Sequence, residues 1–96
     1  MAAVVVTPTA YQDLGRIISS HSLPADSRHR VIASLRVLAR FPRLGGALEG
    51  RWAGFRFLLG PWRWMLLVYV FDEAADRVAV VTIQDARSAR SATTSR

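Results

Sequence analysis

Apolar positions along the chain follow two different periods. Residues 3–7 (AVVVT) are compact and β-branched, and from residue 51 onward apolar and aromatic side chains alternate or run together, as strands do. Between these stretches, Ala10, Leu14, Ile17 and Ile18 recur at helical spacing, and Val31, Ile32, Leu35, Leu38 and Ala39 do so again. The first periodic segment predicts a helix over 8–20, with Thr7 as its N-cap and Pro8 at the first helical position. The second predicts a helix over 27–41, capped by Asp26 and stopped by Pro42. The connector between them is short, so the two helices form an antiparallel hairpin.

The densest apolar run is 55–71 (FRFLLGPWRWMLLVYVF), broken by Gly60-Pro61 and carrying only two charges, Arg56 and Arg63. A membrane span needs roughly 20 uninterrupted apolar residues, so this run is too short and too punctuated for one. It reads instead as two neighbouring strands, over 51–59 and 62–71. The first alternates, with Phe55, Phe57 and Leu59 on one face and Arg56 and Leu58 on the other. The second is apolar on both faces and belongs at the centre of a sheet. A polar turn at 72–76 leads to a last strand over 77–84, and 44–50 (LGGALEG) reads as a loop. The predicted fold is α+β, in the order β-α-α-β-β-β, with the helical hairpin packed on a small twisted antiparallel sheet. One domain is expected over 1–88, followed by a Ser-, Ala-, Thr- and Arg-rich tail over 89–96 without fixed structure.

Composition narrows the function classes. The net charge is +6, and all thirteen basic residues are arginines. Arginine in place of lysine is what a GC-rich genome produces; the excess of positive charge is what a polyanion partner calls for. With no cysteine there is neither a disulfide nor a thiolate metal site, which is compatible with a reducing cytosol. No signal-peptide pattern is evident at the N-terminus.

Conventional catalytic motifs are missing. His21 and His29 have no acidic or cysteine partner in ligand spacing and read as surface residues; no metal and no cofactor is expected. No serine stands in a nucleophile-elbow pattern, and Gly45-Gly46 is not a phosphate loop. Glu49, Asp72, Glu73 and Asp76 lie in loops or turns, where solvation is their expected role. Trp62 and Trp64 share one strand face, so core packing is favoured over base stacking. What remains is arginine. Arg56 and Arg63 on adjacent strands and Arg87 after the last one can converge at one sheet face, where fixed guanidinium groups bind phosphate.

Taken in order, several short patterns add to this reading. They are Thr7-Pro8-x-Ala10-x-x-Asp13-Leu14, Leu38-x-x-Phe41-Pro42-x-Leu44-Gly45 and Gly54-Phe55-Arg56. Then follow Trp62-Arg63 opening Leu67-Val68-Tyr69-Val70, Asp72-Glu73, Val78-x-Val80-Val81-x-Ile83 and Arg87. In order and spacing the chain resembles the RelE/ParE superfamily of bacterial type II toxins, from about residue 4 to residue 90. The resemblance implies a cytoplasmic toxin neutralised by a cognate antitoxin, with no membrane and no small-molecule substrate. RelE-like members cut mRNA on the ribosome without a metal; ParE-like members keep the fold and poison DNA gyrase. A third possibility is a homologue that only binds its antitoxin. By the resemblance, Arg63 and Arg87 match the catalytic arginines and Arg56 falls near the basic positions of the second strand; Arg56, Arg51 and Arg90 are expected to contact RNA or phosphate. This chain departs from the ribonuclease pattern in two places: the lysines of the second strand have no counterpart, and the tyrosine expected after Arg87 is Thr93. Arginine stays protonated and is a poor general base.

Overall fold

In the computed structural model, which describes residues 1–88 and 91–93, the chain runs β1 (Ala3–Val6), α1 (Pro8–Ser20), α2 (Ser27–Ser34), α3 (Val37–Arg40), β2 (Gly46–Ala47), a 3-10 turn (Gly50–Trp52), β3 (Arg56–Leu59), β4 (Met65–Asp72) and β5 (Arg77–Asp85). The five strands form one sheet in the order β1-β5-β4-β3-β2. The helices and sheet make the expected α+β layer, with β4 in the middle.

The sheet is mixed, not antiparallel throughout. β2 to β5 form the antiparallel meander, whereas β1 lies parallel to β5, with Ala3 opposite Arg77 and Val6 opposite Val80. A strand that reaches the sheet through a helical crossover can join it in parallel, which no short hairpin permits. β5 carries one further irregularity. Val68 pairs with Thr82 and Tyr69 with Val80, so Val81 is an extra residue, a β-bulge.

α1 starts where the sequence places it. The Thr7 hydroxyl accepts from Ala10 N–H at 3.3 Å and also donates to Val80 O at 2.9 Å, fixing the helix start to β5. The second helical segment is broken, not continuous over 27–41. Around residues 35–39 the bonds run from N–H to the carbonyl three residues back, as in Leu35 to Ile32, Arg36 to Ala33 and Leu38 to Leu35. The Ser34 hydroxyl donates to Val31 O at 2.7 Å, a side-chain bond that bends helices. The bend keeps Val31, Leu35 and Leu38 all buried against the sheet.

One core lies between helices and sheet. Leu14, Ile17, Val31, Leu35 and Leu38 meet Met65, Leu67 and Tyr69 of β4 and Val78, Val80 and Ile83 of β5. The far face of the sheet is covered too. Leu66 and Val68 pack with Leu48, Trp52, Phe55, Phe57, Ala86 and Ala92. This second cover explains why β4 is apolar on both faces. It also explains the short β3: Gly50 and Gly54 take left-handed conformations (φ 63° and 92°), so 50–54 folds over the sheet before the strand begins. Of the expected tail, Ser91 is buried and the Ala92 N–H donates to Gln84 Oε1 at 2.8 Å; residues 89, 90 and 94–96 lie outside the described residues.

Candidate functional site

The site is built where the β3–β4 turn meets the end of β5. Met65 pairs with Asp85, and the ladder continues with Ala86 N–H donating to Trp64 O at 2.7 Å. That register sets Arg63 in the turn level with Arg87 just beyond β5. Both side chains are exposed. Arg63 makes no hydrogen bond, ion pair or ring contact among the described residues.

Arg87 is held in place. Its Nε donates to Asp85 Oδ1 at 2.9 Å and its Nη2 to Asp85 Oδ2 at 2.8 Å, a fork on both carboxylate oxygens. The Arg87 backbone N–H adds a third bond to Oδ1 at 2.9 Å. The Arg87 guanidinium, ahead of every other influence, holds the Asp85 carboxyl well below the usual carboxylate range, and Asp85 in turn raises the pKa of Arg87. A guanidinium carries five N–H donors, and the fork uses two of them. The rest have no partner among the described residues, and the Arg87 side chain is 62% exposed.

His21, at the C-terminal end of α1, completes the group. Its Nε2–H donates to Asp85 Oδ2 at 3.2 Å, and its Nδ1 lies 2.9 Å from the Ser20 hydroxyl and 3.1 Å from Ile17 O. The carboxylate calls for a proton on Nε2, while Nδ1 lies within reach of both a hydroxyl and a carbonyl oxygen. His21 is therefore half-buried and partnered, unlike the surface histidine the sequence predicts; His29 is exposed as expected. The His21 ring stacks on Trp64 with centroids 4.5 Å apart and planes at 13°, and the Arg87 Cζ sits 5.0 Å from the same indole. Trp64 and Trp62, with centroids 6.4 Å apart, are partly buried against the helix-side core, in keeping with their expected packing role. Both lie in the turn before β4 rather than within a strand.

The other predicted positions do not join them. Arg56 pairs with Tyr69, four residues along β4 from Met65, which is about 13 Å at ~3.3 Å per residue. Its Nη1 donates to Gly45 O at 2.8 Å, so it serves the chain's own backbone. Arg51 is exposed in the 3-10 turn, whose Trp52 packs on the far face. Arg90 lies outside the described residues. Convergence of Arg56, Arg63 and Arg87 thus fails for Arg56, because seven residues of chain carry Arg56 and Arg63 to opposite ends of the hairpin.

Beside the site, an open cavity of about 340 Å³ separates α1 from the end of β5, with Asp13, Arg16, Ser20, Thr82, Gln84 and Asp85 in its wall. Asp13 is a buried strut. Its Oδ2 accepts from Thr82 Oγ1 at 2.6 Å and from Ile83 N–H at 3.4 Å, and its Oδ1 pairs with Arg16. Among the described residues no three His, Asp or Glu side chains gather to hold a metal ion, and no helix is long and apolar enough to cross a membrane.

No protein-family model matches the chain, and no curated protein matches it. Solved structures do. The toxin–antitoxin complex RelBE2 of Mycobacterium tuberculosis contains a chain 26% identical, with a TM-score of 0.60, covering 88% of this chain and 96% of that one. The isolated E. coli RelE toxin superposes with a TM-score of 0.65 at 15% identity, over 94% of this chain and 89% of that one. The chain has the fold of the RelE toxins. The intact E. coli RelBE complex agrees, at a TM-score of 0.63 and 16% identity, over 92% of this chain and all of that one. On this RelE fold the paired ends of β4 and β5 present two arginines, one free and one buttressed. The sequence expectation that Arg63 and Arg87 can meet at one end of the sheet agrees with this placement, whereas Asp85, His21 and Asp13 are not among the expected site residues. Asp85 and His21 come together only through folding, and a carboxylate two residues before an arginine in a polar segment gives no local signal.

Proposed function

We propose that the protein is the toxin of a type II toxin–antitoxin pair and that it acts by cleaving mRNA on the ribosome. The observation that carries this reading is the level placement of Arg63 and Arg87 at one end of the β4–β5 pair, on a RelE fold with net charge +6. In it, Arg63 and the open donors of Arg87 hold the scissile phosphate and take up the extra negative charge of its transition state. Arg56 contributes to the shape of the fold through Gly45, Arg51 is an outlying basic contact, and Arg90 stays a candidate RNA contact on sequence grounds.

The antitoxin is an acidic, amphipathic segment. Support comes from exposed Val37, Phe41 and Leu44 beside exposed Arg36, Arg40 and Arg43, an apolar strip with a basic border.

One feature favours a second reading, a non-enzymatic poison of DNA gyrase. No proton acceptor stands free beside Arg63 and Arg87 among the described residues. Asp85 is occupied by Arg87 and His21, and both His21 nitrogens face inward. Cell-free translation with mapping of mRNA 5′ ends, run beside gyrase supercoiling on one purified sample, separates the two. Ribosome-dependent new ends, lost in the Arg63→Ala/Arg87→Ala double variant, are the expected result. Intact mRNA with trapped gyrase–DNA complexes transfers the protein to the second reading.

A further inference from the structure

The same end of the sheet carries a third arginine that sequence spacing does not connect to the site. Arg30 of α2 is exposed, and its Cζ lies 4.6 Å from the ring centroid of Trp62. Arg87 holds the equivalent position over Trp64, 5.0 Å from its centroid, and the two indoles neighbour each other. Arg63 lies between the two tryptophans in the chain, exposed and without a partner among the described residues. Three guanidinium groups therefore border one short aromatic turn, and two of them rest on indole faces.

We infer that Arg30 and Trp62 form a second nucleotide-binding position, so that single-stranded RNA crosses the sheet end from Arg87 through Arg63 to Arg30. Each element of this arrangement suits that ligand. Arginines resting on indoles lose less freedom on binding than free side chains do. The outer face of such a guanidinium accepts a stacked base, and its edge donates to phosphate. Among the described residues no carboxylate pairs with Arg30, whereas Arg87 shares its charge with Asp85 and Arg16 with Asp13. Arg30 thus offers its full charge to the ligand. The inference rests on the RNA reading above and extends it from one phosphate to a strand.

The test is the salt dependence of binding of a short oligouridylate, followed by tryptophan fluorescence, for the full chain and four variants. For single strands the slope of log K against log salt is roughly −0.7 per neutralised phosphate, so three contacts give about −2. Arg30→Gln is expected to make the slope shallower by about 0.7, as Arg63→Gln does. Arg28→Gln serves as the control, because Arg28 rests on Tyr11 and lies against Gly15 of α1, away from the track. It is expected to leave the slope unchanged, while Trp62→Phe, with the fold intact by circular dichroism, weakens binding. If Arg63→Gln reduces the slope and Arg30→Gln does not, the second position is overturned and the RNA reading stands. If Arg28→Gln reduces it equally, the protein attracts RNA by diffuse charge and the track is overturned. If the unmodified chain fails to bind the oligonucleotide at all, the track is overturned, and ribosome-dependent cleavage is decided separately by the mapping of mRNA 5′ ends.

Discussion

Tyr69 shows how one side chain can set a local geometry. It is wholly buried at the centre of β4, and its hydroxyl oxygen accepts the buried Gly45 N–H at 2.8 Å. A Cβ on Gly45 would overlap both that hydroxyl and Phe57 O, so glycine is required by close approach rather than by dihedral angle. Removing the hydroxyl in Tyr69→Phe strands a buried donor and is expected to cost about 1–3 kcal/mol in urea unfolding. Burial, the largest influence, raises the Tyr69 pKa above its ordinary value. The folded state therefore holds that proton longer than the unfolded chain, and its contribution is present below about pH 10 and lost as pH rises towards the folded pKa. Tyr69→Phe should flatten this alkaline loss. Asp85 has the opposite sign. Its lowered pKa gives stability present above about pH 4 and lost as pH falls below it, so Asp85→Asn should show a shallower decline in acid unfolding curves.

Among elements, the junction of α1 with β5 has the firmest polar ties. Thr7 closes one end through Val80 O, Asp13 holds the middle through Thr82 and Ile83, and His21 reaches Asp85 at the other end. Asp13→Ala leaves two donors of β5 without their acceptor, and a loss of about 1–3 kcal/mol is expected, measured by thermal or urea unfolding. Much of this level could be read from the sequence. Thr7-Pro8 located the start of α1, and two-sided apolarity placed β4 in the middle, because both signals are local. The break between α2 and α3 was hidden, since Val31, Leu35 and Leu38 satisfy an uninterrupted helical period equally well. The parallel partner of β1 was hidden for another reason: strand direction is set by the route of the crossover, which no single segment records.

At the scale of the whole molecule, the positive charge is unevenly committed. Arg16, Arg43 and Arg87 are paired with acids, whereas among the described residues Arg63 and Arg30 are not. Exposed arginines contribute little to folding, so the Arg63→Ala/Arg87→Ala double variant should unfold within about 1 kcal/mol of the unmodified chain while losing toxicity on induced expression. A folded and equally toxic double variant would show that the site lies elsewhere. The arginines were legible as a set, because charge is counted along a sequence. Their partition was not, because Asp85 and His21 are 64 positions apart and meet only when α1 docks beside β5.

The extra residue at Val81 has a consequence for descent. Ahead of it, Val78 and Val80 face the helices; beyond it, Ile83 and Asp85 do so, and the change of parity is what brings Asp85 to His21. A relative whose last strand is straight would present its side chains one step out of phase beyond this point. An alignment with such a relative must open a single-residue gap near Val81 or transfer site residues to the wrong neighbours. Loss of this one codon would exchange the faces of the strand's end while leaving nearly the whole protein unaltered. Diversification of the site through insertion and deletion, in place of substitution, is a route this fold leaves open.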